Sequence, residues 1–198
     1  TVLAATLRGL GTRQAELHPG ITLCDHIDDV CQQIAEAGFD HFILAGHSYG
    51  GMVVTGVAAR LGDRIDAICY IDAFWPGDNE SLWDVTDGFE HAWYIDTQKH
   101  TPGLIRPLGS PEDFQPVPQV VGYHPLLTLL EAVRYSGKEA LIPRRAYIFA
   151  TGYEQTPFPA FAEKARAAGW DYHETDCDHF VMQNRPKKTA EVLLGLAE

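Results

Sequence analysis

The chain has 198 residues, 45% hydrophobic and 21% charged, which suits one globular domain and leaves no apolar run near the roughly 20 residues that span a bilayer. A net charge of −12 would repel a polyanion, which argues against nucleic acid as a partner. The four cysteines, Cys24, Cys31, Cys69 and Cys177, form no C-x-x-C pair and no zinc spacing, and residues 1–11 lack a basic head followed by a long apolar run. Cys24 and Cys31, about 10 Å apart on a predicted helix, are too distant for a disulfide. These features read as a soluble cytoplasmic protein with reduced thiols and no zinc site. A small molecule is the expected partner, and a homodimer is left open.

Short apolar runs alternate with amphipathic helices, which predicts a mostly parallel sheet with helices on both faces. Residues 2–6 read as a strand, and 8–20 as a loop punctuated by Gly9, Gly11, Pro19 and Gly20. Thr22 is an N-cap with Asp25 three residues on, and Leu23, Ile27, Val30 and Ile34 recur at helical spacing up to Gly38. A buried strand over 41–45, a helix over 51–61 and a strand over 67–71 follow, with Asp72 at the last strand's carboxyl end. From Phe74 to about Pro143 the pattern breaks into a stretch rich in Pro and Gly that holds Trp75, Trp83, Phe89, Trp93, Tyr94, Phe114 and Tyr123. It is too long for a loop and reads as a cap inserted between two core strands, with a helical piece over 125–135. The core resumes with a strand over 147–151, a helix over 158–168, a strand over 170–174 and a closing helix over 186–196. The domain reading is therefore 1–73 with 144–198 as core, and 74–143 as cap.

Gly46-His47-Ser48-Tyr49-Gly50, continued by Gly51, matches the nucleophile-elbow pattern G-x-S-x-G. It follows an apolar strand and opens a helix, the setting that the chemistry needs. A sharp turn exposes the serine hydroxyl, glycines let strand and helix approach at Gly46 and Gly50, and the Tyr49 amide at the helix N-terminus faces a developing oxyanion. His47, beside the nucleophile, lines the site.

A serine hydroxyl needs a base. Of nine histidines, His179, in Asp176-Cys177-Asp178-His179, lies after the last core strand and satisfies the chain order Ser, acid, His. Two carboxylates compete to orient it. Asp72 comes directly off a strand and is preferred, and Glu154, in a looser loop after a later strand, is the alternative. Asp178, next to the histidine, reads as solvated, and His26 as solvated or structural.

Gly9-Leu10-Gly11-Thr12-Arg13, Ile21-Thr22-Leu23, His26-Ile27-Asp28-Asp29-Val30, the elbow with Met52-Val53, Tyr70-Ile71-Asp72-Ala73-Phe74, His124-Pro125-Leu126 and Asp178-His179 occur in order along nearly the whole chain. Together they resemble the bacterial branch of the methyl salicylate esterase/hydroxynitrile lyase family. The resemblance implies an α/β-hydrolase fold with a cap, chemistry without a cofactor, and small ester or cyanohydrin substrates. Plant members carry an aspartate after the penultimate strand, where this chain has Tyr153, a further reason to favour Asp72. The family's lyases carry a lysine directly after the catalytic histidine. Phe180 stands there, which favours an esterase. Family members begin with further strands and a His-Gly loop that donates to the oxyanion, which implies residues upstream of Thr1.

The leading expectation is hydrolysis of a small hydrophobic or aromatic ester through an acyl-enzyme on Ser48. His47, Phe74, Trp75, Trp93, His124 and Phe180 are the expected substrate contacts. A lyase or lactone-processing enzyme on the same scaffold is the first alternative, separable by cyanohydrin and lactone turnover. An inactive ligand-binding relative is the second, separable by fluorophosphonate labelling.

Overall fold

The computed structural model describes residues 1–107, 122–152 and 156–198. The chain falls into two compact units, Thr1–Gly38 with Glu80–Ala132, and Phe39–Asn79 with Val133–Glu198. The division differs from the core and cap boundaries expected from the sequence, because 1–38 pack with the inserted stretch. Helix α1 (Leu23–Glu36) contacts the short α4 (Leu127–Leu130), and the Glu131 carboxylate accepts the Cys24 amide at 2.7 Å.

In the first unit, α1 forms where its cap and stripe predict. Thr22 and Asp25 make a reciprocal capping box, and Leu23, Ile27, Val30 and Ile34 are buried. His26 and Asp29 are buried with them, Asp29 against the Arg13 guanidinium at 2.6 Å. Residues 2–6 form no strand. No strand pairs with them among the described residues, and 1–5 are exposed. A 3-10 helix, Gly11–Glu16, lies within the expected loop. The inserted stretch holds a helix that periodicity did not reveal, α3 (Gly88–Gln98), and two short strands, β3 (Leu104–Ile105) and β4 (His124–Pro125), paired antiparallel. The helix expected over 125–135 shrinks to the four residues of α4.

The second unit carries the parallel sheet. Its strands are β1 (Phe42–Ser48), β2 (Ile65–Ala73), β5 (Arg144–Ala150) and β6 (Asp171–Thr175), in the order β1-β2-β5-β6. Side chains on β2 and β5 alternate between faces, as period-two geometry requires. Ala67, Cys69, Ile71, Ala146, Ile148 and Ala150 pack with Val181, Val192 and Leu196, the latter from α6 (Val181–Asn184), α7 (Pro186–Gly195) and its C-cap. On the opposite face lie α2 (Gly50–Leu61) and α5 (Phe158–Ala167), where the Tyr70 hydroxyl meets Thr55 at 2.8 Å. Near-continuous burial along β2 is what a sheet covered on both faces demands. No helix among the described residues is long and apolar enough to cross a membrane.

Candidate active site

Strand β1 runs through the motif and ends on Ser48, whose φ of +54° lies in the left-handed region where a side chain is strained. The close approach around this turn falls on Gly46 and Gly51. A Cβ at Gly46 would lie 2.6 Å from the Gly50 carbonyl oxygen, and one at Gly51 would lie 2.0 Å from that of Phe74. Gly50, expected to share this role, has open space instead. The register puts Ser48 opposite Ala73 of β2, and the Phe74 amide donates to the Ser48 carbonyl at 3.2 Å.

Asp72 is therefore next to the Ser48 turn. It too has a positive φ, +41°, and its side chain is buried. One carboxylate oxygen accepts the Ala150 amide at 3.2 Å, and the other accepts His179 Nδ1 at 2.7 Å. This satisfies a buried carboxylate with one main-chain donor and one imidazole. The strained turn is held by a residue that sequence reasoning passed over. The β2–β5 ladder ends at Ile71 and Ile148, and the Tyr147 hydroxyl takes over beyond it. It donates to the Ala73 carbonyl at 2.8 Å and accepts the Ala73 amide at 3.2 Å. The available signal was a phenol in the otherwise apolar run of β5, since a buried tyrosine hydroxyl usually has a partner.

His179 lies in the turn between β6 and α6. Asp178, expected to be solvated, fixes this turn: its carboxylate accepts the Phe180 amide at 2.8 Å and the Asn184 side-chain amide. The Phe158 ring stacks on the imidazole, centroids 4.8 Å apart and 11° from parallel, and Phe74 packs on Phe158 at 5.0 Å. His47 approaches the same imidazole at 4.4 Å and the Phe180 ring at 5.9 Å. Its Nε2 lies 2.8 Å from the His179 carbonyl oxygen. Packing around the ring, reinforced by the neighbouring imidazole, lowers the His47 pKa to about 3, so the ring is neutral near pH 7.

The structure thus brings Ser48, Asp72, His179, His47, Phe74 and Phe180 into one neighbourhood of the second unit. Trp75 turns elsewhere. Its indole packs against Trp170, centroids 4.0 Å apart and tilted by 37°, beneath the Lys164 ammonium, and lines a separate cavity of about 430 Å³ with Tyr70, Tyr135 and Arg145. Trp93 and His124 belong to the first unit, where His124 packs edge-on against His26. Glu154, like Tyr153 and Phe114, lies outside the described residues.

Residues 1–192 match the model of the alpha/beta hydrolase family. The chain belongs to this family. Among curated proteins it is 33% identical to a carbendazim hydrolyzing esterase of Nocardioides sp. (strain SG-4G) over 219 aligned residues, covering 98% of this chain and 87% of the relative. Among solved structures it resembles an extracellular alpha/beta-hydrolase from a Paenibacillus species, described as sharing structural and functional homology with tobacco salicylic acid binding protein 2. The TM-score is 0.79 at 22% identity, over 99% of this chain and 87% of that one. It also resembles polyneuridine aldehyde esterase, with a TM-score of 0.70 at 19% identity, over 98% and 87% of the two chains. At these identities the solved structures establish the shared α/β-hydrolase fold, a mostly parallel sheet with helices on both faces.

Proposed function

We propose that this alpha/beta hydrolase is a carboxylic ester hydrolase that works through an acyl-enzyme on Ser48. The observation that carries the reading is the 2.7 Å contact between Asp72 and His179 Nδ1, made beside the strained turn that holds Ser48. An imidazole whose Nδ1 donates to a buried carboxylate presents Nε2 as the basic nitrogen, the tautomer needed to take a serine proton. In the first half-reaction Ser48 Oγ attacks the ester carbonyl while its proton passes to His179. Asp72 stabilises the resulting imidazolium. The Tyr49 amide, at the N-terminal end of α2, donates to the oxyanion. Collapse expels the alcohol, which takes its proton from His179. Water, deprotonated by the same imidazole, then releases the acid.

Phe158, Phe74 and Phe180 give the site apolar walls, which suits a small hydrophobic or aromatic ester, and the named esterase relative supports the reaction class. The cytoplasmic placement read from the sequence remains part of this proposal. The test is Ser48→Ala assayed on p-nitrophenyl esters of increasing acyl size, with fluorophosphonate labelling followed by mass spectrometry. Turnover should fall by at least about 10³-fold and the label should sit on Ser48 alone. Unchanged turnover in the variant, or a label elsewhere, would overturn the reading.

A further inference from the structure

We infer that His47 is a positioning residue, which holds the base in register with the nucleophile by hooking the main chain of His179. This rests on the proposed roles of Ser48 and His179. A carbonyl oxygen can only accept, so at 2.8 Å the Nε2 of His47 must carry the hydrogen and donate it to the His179 carbonyl. His47 immediately precedes Ser48 on β1, so one residue's main chain is continuous with the nucleophile while its side chain grips the main chain of the base, 132 positions away. Asp72 and Phe158 act on the His179 side chain, where they orient the ring. Asp178 fixes the following amide, that of Phe180, within the same turn. His47 thus links the nucleophile strand to the base's own peptide through its side chain.

The physical need is clear from the geometry. His179 sits in a turn, where main-chain placement is weaker than on a strand, and reacting groups displaced by about 1 Å can lose about 10²-fold in rate. A hydrogen bond spanning the two segments converts strand rigidity into placement of the imidazole. The role requires a neutral His47, because a second imidazolium 4.4 Å from His179 would oppose the charge that His179 gains in the transition state. The packing around the ring, which lowers its pKa to about 3, meets that requirement.

The test compares His47→Gln, which keeps an N–H donor, with His47→Leu and His47→Met, which keep bulk without one. All are checked for folding by thermal melting. On p-nitrophenyl esters the apolar variants should lose about 10–100-fold in kcat with KM within about threefold, and His47→Gln should recover most of the loss. Two readouts on the full chain do not depend on turnover. In the wild type, 15N shifts of the His47 ring should report the Nε2–H tautomer at pH 6. The low-field Nδ1 proton of His179 should be sharp in wild type and His47→Gln but broadened in the apolar variants. An Nδ1–H tautomer or a cationic His47 at pH 6 would overturn the inference, even if no apolar variant folds. So would an unchanged kcat and low-field proton in folded His47→Leu. A wild type without esterase activity, but with the expected ring signals, would defeat the proposed function and leave the hook standing.

Discussion

Each compact unit contains a pair of packed histidines, and the two pairs are built for different ends. In the first unit His26 and His124 meet edge-on with centroids 6.1 Å apart. His26 Nε2 donates to the Arg8 carbonyl at 2.9 Å, and His124 Nε2 meets the Thr128 hydroxyl at 2.7 Å. Burial lowers both pKa values, that of His124 to about 3 with the neighbouring imidazole adding to the effect. In the second unit His47 is neutralised the same way, but its neighbour His179 has a buried carboxylate on Nδ1. Desolvation alone makes a histidine a neutral packing element. An aligned carboxylate is what the proposed mechanism adds, so that the ring can take a serine proton.

Removing that carboxylate should break the contrast most severely. In Asp72→Asn the side-chain oxygen can still accept the Ala150 amide, and the NH₂ then faces His179 Nδ1. The imidazole must turn to the tautomer with hydrogen on Nε2, which cannot take a proton from Ser48. We expect kcat on p-nitrophenyl esters to fall by about 10⁴-fold, with the melting temperature lowered by only a few degrees. Activity within tenfold of wild type would mean that another carboxylate serves His179.

Much of the candidate site's geometry was legible in the sequence because it is tied to local grammar. A strand, a G-x-S-x-G turn and a helix singled out Ser48, and a place directly off a strand end favoured Asp72 over Glu154. The hooks were not legible. Tyr147 reaches Ala73 across 74 positions and His47 reaches His179 across 132, and neither distance leaves a periodic trace. The same limit explains the fold. Helix α1 announces itself through a capping box and an apolar stripe. Helix α3 does not, since only Tyr94 and Thr97 of its eleven residues are buried and Asp87 makes no side-chain cap bond. The strand expected over 2–6 had the right composition, but a strand is defined by its partner, and a single segment carries no information about one. His26, expected to be solvated or structural, is the structural case: it lies on the buried stripe, where the Arg8 carbonyl satisfies its ring N–H.

Acid should expose the next difference between the pairs. The unfolded chain protonates His26 and His124 near the ordinary value of about 6.5, whereas the folded first unit keeps both neutral to lower pH. Between those limits the unfolded state binds more protons. Stability is therefore fully present above about pH 6.5 and is lost as pH falls, by up to about 1.4 kcal/mol per pH unit for each group. Urea titrations from pH 7.5 to 4.5 should show this decline. His124→Gln, which cannot titrate, should make it shallower by about one proton. A slope identical to wild type would mean that the His124 ring is already charged in the fold, contrary to its packing against His26.

The smallest effect should come from Thr128, the hydroxyl that stands in the first unit where Asp72 stands in the second. Thr128 is buried, and its Oγ1 donates to the Pro125 carbonyl at 2.7 Å. With its one hydrogen so used, it can only accept from His124 Nε2, which fixes that ring as the Nε2–H tautomer. A hydroxyl in this position satisfies a neutral imidazole but offers no charge to stabilise a cation. Thr128→Val keeps the shape and removes the oxygen, leaving a ring N–H and a carbonyl without that partner, so we expect a loss of about 1–3 kcal/mol in urea unfolding. Thr128→Ser should restore most of it. Thr128→Asp sharpens the contrast further. If a carboxylate on the ring separates the two pairs, this variant should raise the His124 pKa, measured by NMR titration, back toward the ordinary range. An imidazole that stays neutral at pH 5 beside the new carboxylate would show that burial alone decides the charge, and the distinction between the two pairs would fail.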